Sequence, residues 1–287
     1  MPREQIRKTY KLYVGGAFPR SESGRSYEVT DAKGAFAANA AQGSRKDVRD
    51  AVTAARAGFD RWSAATAYNR GQVLYRVAEV MEGRRDQFVA EVAAAEGLAK
   101  RPAGAVVDAS IDRWVWYAGW TDKLAQVHGN ANPVAGPFFN FSVPEPTGVV
   151  GVVAPPSSSL LGLVSVLAPV VATGCSAVVL ASQARPLPAI TLGEVLATSD
   201  VPAGVVNILT GSVAEMAPWL AGHADVNALD LCGVADPGLA RDLESAAAGT
   251  LKRVRRAEPE ADFAATPGLS RMLDVLEVKT VWHPVGT

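Results

Sequence analysis

Apolar residues recur along the first third of the chain at helical intervals. Val48, Val52, Ala55, Phe59 and Trp62 follow at steps of four, three, four and three, which marks one buried face of a helix. Ser44 stands where its N-cap belongs, and Asp47 completes a loose capping box. Val73, Val77 and Val80 predict a second helix over 69–81, and Phe88, Val89 and Val92 a third over 85–96, stopped by Gly97. A fourth helical stretch, 103–127, carries Ile111, Trp114, Val115, Ala118 and Leu124 at core spacing. Before these helices, the runs Lys11–Gly16 and Tyr27–Thr30 read as short strands, and the small, polar stretch 35–43 reads as a loop.

The pattern changes after residue 133. Phe138, Phe139, Phe141 and Val143 lie between prolines, which suits an extended edge ribbon over 137–147. From Gly148 short valine-rich runs alternate with helical stretches. Strands are predicted at 148–154, 177–180, 205–209 and 226–231, and helices at 160–172, 187–198, 212–221 and 237–248. This alternation predicts an α/β fold, a doubly wound, Rossmann-like parallel sheet with helices on both faces. The first 136 residues would pack on that domain, which spans 148–254. Residues 255–272 read as a polar linker, with Glu258-Pro259-Glu260 in its middle. The last segment, 273–287, alternates apolar and polar residues and reads as an edge strand without a hairpin neighbour. Its backbone groups must pair somewhere.

Composition narrows the class. The chain has 287 residues, 48% of them hydrophobic and 20% charged, so a large core is available. Twenty-eight basic against 29 acidic residues leave a net charge of -1, which offers nucleic acid no general attraction. Two cysteines cannot form a disulfide framework, and a reducing compartment is expected. The charged start, Met1 to Lys11, has no signal-peptide core, and the apolar run 160–172 contains Pro169 and is shorter than the ~20 residues of a membrane span. The expectation is a cytoplasmic protein without membrane or nucleic-acid partners.

Candidate chemistry is sparse. Cys175 enters one buried strand and Cys232 ends another. With no cation or base beside them in the sequence, both read as small buried hydrophobes. His128, His223 and His283 lack metal-ligand spacing, so no metal site is expected. His223 reads as a helix-end residue. Trp114, Trp116, Tyr117 and Trp120 read as core or subunit contacts, and Lys252, Arg253, Arg255 and Arg256 as a solvated stretch.

Residues 144–155 (PEPTGVVGVVAP) and 202–211 (PAGVVNILTG) resemble the aldehyde dehydrogenase superfamily. His223-Ala224-Asp225-Val226, Leu251-Lys252-Arg253-Val254 and the 54–62 helix fit the same register, so the resemblance runs from about Leu12 to Val254. It implies a dinucleotide-binding domain and a small β oligomerisation ribbon, with Phe139, Phe141 and Val143 on the ribbon. Leu276, Val278, Thr280 and Trp282 match the family's terminal oligomerisation strand.

The resemblance also exposes departures. Where the family carries Trp-Asn-Phe-Pro, whose asparagine holds the oxyanion, Pro155 is followed by Pro156-Ser157-Ser158-Ser159. The Lys-Pro-Ser-Glu run that holds the cofactor ribose is Leu180-Ala181-Ser182-Gln183-Ala184 here. The Gly-x-Gly-x-x-x-Gly turn keeps only Gly211, and Phe-Thr-Gly-Ser becomes Leu231-Cys232-Gly233-Val234. After Val254 the family's general base and its cysteine-bearing catalytic domain are not found; the chain passes directly to the terminal strand. Pro155, Gly211 and Gly233 are left as vestiges of an NAD site, and no catalytic residue is assigned. The resemblance therefore implies an inactive subunit that takes no cofactor and donates strands to a full-length aldehyde dehydrogenase in a hetero-oligomer. The rivals are a weak NAD-dependent aldehyde oxidoreductase completed by partner residues, and a dinucleotide sensor.

Overall fold

The computed structural model describes residues 8–258 and 261–286. Met1 to Arg7, the linker's Pro259 and Glu260, and Thr287 lie outside the described residues. Three strands open the chain: β1 (Thr9–Tyr10), β2 (Ser26–Thr30) and β3 (Phe36–Ala41). Five helices follow: α1 (Arg45–Ala64), α2 (Ala67–Gly83), α3 (Arg85–Glu96), α4 (Lys100–Ala118) and α5 (Leu124–His128). Strands β4 (Asn130–Asn132) and β5 (Phe138–Pro146) lead to the alternating region. That region runs β6 (Val149–Val153), α6 (Leu161–Ala172), β7 (Ser176–Leu180), α7 (Leu187–Leu196) and β8 (Val206–Leu209). It continues through α8 (Val213–Ala221), β9 (Ala228–Asp230), α9 (Pro237–Ala248) and β10 (Arg253–Arg255). A short α10 (Ser270–Leu273) precedes β11 (Leu276–Pro284).

The central sheet has five parallel strands in the order β10-β9-β6-β7-β8. Alternate side chains of each strand feed two cores, as a two-faced sheet requires. Val150, Val152, Ala177, Val179 and Ile208 join α6, α7 and the amino-terminal helices in one core. Val149, Val153, Val178, Leu180 and Leu209 meet α1, α8 and α9 in the other. Helix α6 is buried along its whole length, which explains why its residues are apolar all round. Pro169 sits inside it and removes the amide that would meet the Ser165 carbonyl.

The capping box at α1 forms as its spacing predicts. Ser44 N–H donates to Asp47 Oδ2 at 2.8 Å, and Asp47 also accepts from Ser21 Oγ (2.8 Å) and from the backbone N–H of Glu22 (3.0 Å). One carboxylate thus fixes both the helix start and the preceding turn. The aromatic residues of α4 divide: Trp114 and Tyr117 are fully buried, while Trp116 and Trp120 pack on each other at the core margin.

Four local expectations need correction, the first at 252–256, read as solvated, where residues 253–255 form β10 beside β9 and Lys252 is buried. Residues 36–41 form a strand, β3, where the composition reads as a loop. It pairs with β2 on one side and β1 on the other, and ladder bonds outweigh the low strand propensity of alanine and asparagine. The run at 11–16 is not a strand; Tyr13 makes an isolated two-bond bridge to Ile208 instead. The stretch 103–127 is two helices, because the chain turns at Gly119–Lys123, where Thr121 Oγ1 donates to the Ala118 carbonyl at 2.9 Å.

Candidate functional site

In an open doubly wound sheet, ligands meet the loops beyond the carboxyl ends of the strands. Here a cleft of 600 Å³ lies at those ends of β6, β7 and β9, beside the N-terminus of α8 and under β2. Ala154, Pro156, Ser182, Gln183, Val213 and Val234 form much of its wall, and Glu28 is the one charged residue among those lining it. Tyr27 Oη donates to the Gln183 carbonyl at 3.0 Å and ties β2 to the loop after β7. Burial pushes this phenol well above its ordinary pKa. Arg185, on the same loop, donates to the carbonyl of Ser157.

Of the three residues read as cofactor vestiges, the structure brings only Gly233 to the cleft wall. A Cβ at Gly233 would stand 2.1 Å from the Ala154 carbonyl oxygen, so the close approach of two strand-end loops requires glycine there. Pro155 is buried beneath α6, near Gly162. Gly211 is buried against the backbone of Gly43.

Whether a dinucleotide fits depends on the N-terminus of α8, the element that would face its phosphates. Ser212 Oγ already accepts from the Glu215 N–H at 3.3 Å. The Glu215 carboxylate occupies the first turn, held by Arg25 Nη2 at 2.6 Å. That hydrogen bond keeps the Glu215 carboxyl below its usual range, so it is ionised at neutral pH. A pyrophosphate would meet one carboxylate, Glu28, and no cation among the lining residues, while the Glu215 carboxylate in the first turn of α8 is spent on Arg25. The residues present do not fit an NAD pyrophosphate.

Neither thiol is poised for attack. Cys175 is fully buried and donates to the Val275 carbonyl at 3.4 Å, and burial raises its pKa. Cys232 is buried as well, but the structure adds a neighbour that local sequence does not reveal. Arg271 Nη2 lies 3.3 Å from its Sγ, thirty-nine residues away along the chain. Burial still wins over that cation and holds the thiol above its ordinary value. Among the described residues no group of three or more histidine, cysteine or acidic side chains could hold a metal ion. No helix among the described residues is long and apolar enough to cross a membrane.

The second feature is the ribbon. Strand β11 pairs antiparallel with β5 at nine positions, from Leu276 opposite Pro146 to Pro284 opposite Phe138, and β4 lies on the far side of β5. The terminal strand thus finds its partner 130 residues back, where Thr147 Oγ1 also donates to Glu277. Strand alternation sorts the ribbon residues onto opposite faces. Phe139, Phe141 and Val143 share one face with Val281 and His283 opposite them; Val278, Thr280 and Trp282 share the other with Phe138. The rings agree, with Phe139 and Phe141 in contact at 5.4 Å and Phe138 against Trp282 at 5.7 Å. Val278 and Trp282 are 68% and 58% exposed, whereas Leu276 is buried where the ribbon leaves the core.

A model of the aldehyde dehydrogenase family matches residues 18–257. The chain belongs to the aldehyde dehydrogenase family. Aldehyde dehydrogenase family 2 member B4 of Arabidopsis thaliana is 32% identical over 244 residues, covering 83% of this chain and 44% of the relative. The benzaldehyde dehydrogenase of Antirrhinum majus is 31% identical over 235 residues, covering 79% and 43%. The crystal structure of HpcC from Thermus thermophilus superposes with a TM-score of 0.81 at 28% identity, over 86% of this chain and 47% of that one. The chain spans about half or less of the length of the curated relatives it matches first. The cleft and the ribbon are therefore features of an aldehyde dehydrogenase-family chain.

Proposed function

We propose that this chain is a catalytically inactive aldehyde dehydrogenase-like subunit that assembles with a full-length aldehyde dehydrogenase and stabilises or regulates it by donating ribbon strands. The observation that carries this reading is the continuity between β10 and β11. Residues 256–275 lead from the last strand of the parallel sheet directly to the strand that completes the ribbon. A ribbon thus stands complete beside a sheet with no catalytic domain between them. Along the outer edge of β11 no further strand is paired among the described residues. A two-sided apolar ribbon with an open edge favours strand addition to a partner sheet.

The cleft supports the inactive half of the reading. Oxidation of an aldehyde through a thiohemiacetal needs a nucleophilic thiolate, an oxyanion donor and a bound hydride acceptor. Both thiols have raised pKa values, and the cleft is lined by one carboxylate, Glu28, and by no cation. Co-expression with a tagged full-length aldehyde dehydrogenase from the same cell tests the assembly. The wild-type chain should co-purify with it, and Val278→Lys/Trp282→Lys should be lost from the eluate while remaining folded. Equal recovery of wild type and variant would contradict strand donation.

A further inference from the structure

Between β10 and α10, residues 261–269 lie against α4 and form neither helix nor strand, and most of them are exposed. The structure on either side is fixed. Arg255 ends the last strand of the parallel sheet. Met272 and Val275 are buried in the core, and the Val275 carbonyl accepts from the Thr147 N–H at 3.0 Å.

The strap between these ends is held by polar pins more than by apolar burial. Arg113 of α4 donates through Nη2 to the carbonyls of Phe263 (2.7 Å) and Ala265 (3.2 Å), and Tyr117 Oη donates to the Gly268 carbonyl at 3.5 Å. Arg271 closes the far end. Its side chain, 11% exposed, pairs with Asp230 at 2.7 Å and with Glu258 at 2.8 Å. Ala261, Phe263 and Leu269 pack against the core, and each is only partly buried. A segment with few buried apolar contacts, strung between two fixed ends, opens at a lower free energy than the domain it covers.

A thiol lies beneath this strap. Cys232 is 1% exposed, with Arg271 Nη2 at 3.3 Å from its Sγ and the Glu258 carbonyl at 3.9 Å. Cys175 supplies a contrast. It is fully buried, and its contact is the Val275 carbonyl at 3.4 Å, past the end of the strap and within the core.

We propose that residues 261–271 open as one unit, separately from the parallel sheet, and that Arg113 and Arg271 are the latches whose release uncovers Cys232. The inference needs neither a partner chain nor the ribbon edge, so it stands apart from the subunit reading. Native-state labelling of the full chain with iodoacetamide, followed thiol by thiol by peptide mass spectrometry, tests it. In the wild type Cys232 should label about tenfold faster than Cys175 or more, because Cys175 is reached only when the core unfolds. Arg113→Met cuts two hydrogen bonds from a charged donor to the middle of the strap, and neither goes to the thiol. It should raise the Cys232 rate about tenfold and leave the Cys175 rate unchanged. Arg271→Met should act in the same direction, because it leaves Asp230 buried without its cation in the closed state. The Cys175 rate reports any global loss of fold in either variant. Equal rates at the two thiols of the wild type, a Cys232 rate unmoved by Arg113→Met, or a rise at both thiols together would each overturn the proposal.

Discussion

At the scale of single residues, close backbone approaches and buried charges decide most outcomes. Gly204 adopts φ 86°, and a Cβ there would stand 2.2 Å from the Ala54 carbonyl oxygen of α1. Gly58 of α1 presses back on the same turn, where its own Cβ would lie 2.7 Å from the backbone of Gly204 and Val205. Gly58→Ala should therefore lower the unfolding free energy by roughly 1–3 kcal/mol, as overpacking does, read as a lower urea midpoint at unchanged slope. Glu215 sets the second expectation. With its carboxylate at the N-terminus of α8 and Glu28 lining the cleft, NAD+ titrated into the protein should give no saturable heat. A saturable isotherm at sub-millimolar NAD+ would contradict the physical reading of the cleft.

At the scale of elements, contacts between distant segments determine how they hold. Helices α3 and α4 are clasped by Arg85, whose Nε and Nη2 donate to the two oxygens of Asp108 at 2.6 and 2.9 Å. These hydrogen bonds hold the Asp108 carboxyl below its ordinary range. A depressed folded pKa contributes stability that is fully present above the unfolded value of about 3.9 and is lost as pH falls through the lower folded value. Asp108→Asn should thus cost a small amount of stability at pH 7, the pair being exposed, and less at a pH well below that unfolded value. Urea midpoints at the two pH values check this; an equal loss at both would show that the ion pair is not the cause. Periodicity in the sequence captured α1, α3 and four of the five strands of the parallel sheet, because each buries a regular stripe or a continuous apolar run; it missed β10, whose Arg-Val-Arg carries neither. It failed for β3, whose alanines are held by two neighbouring strands, and for the turn that divides α4 from α5. Nor could local sequence place Arg271 beside Cys232, a contact between residues thirty-nine apart that no short-range pattern encodes. The degraded cofactor motifs were legible as substitutions, but the carboxylate facing the cleft came only from the fold.

At the scale of the whole molecule, the parallel sheet and the ribbon make different demands. The sheet is covered on both faces and needs nothing further. The ribbon exposes Phe138, Phe139, Val278 and Trp282 and leaves one edge of β11 without a strand among the described residues. Such an edge is open to strand addition, the contact that the proposed partner would make. Replacing Val278 and Trp282 by lysine should leave the circular dichroism and the core melting transition unchanged while abolishing assembly, because both side chains lie outside the core. Concerted loss of fold and assembly would place them in the core after all. The central claim is that this aldehyde dehydrogenase-family chain works as a strand-donating subunit rather than as an enzyme. Native mass spectrometry of the untagged protein, purified from its own cell, tests it most directly. The account predicts a complex with a longer aldehyde dehydrogenase chain; a homo-oligomer that retains NAD would contradict it.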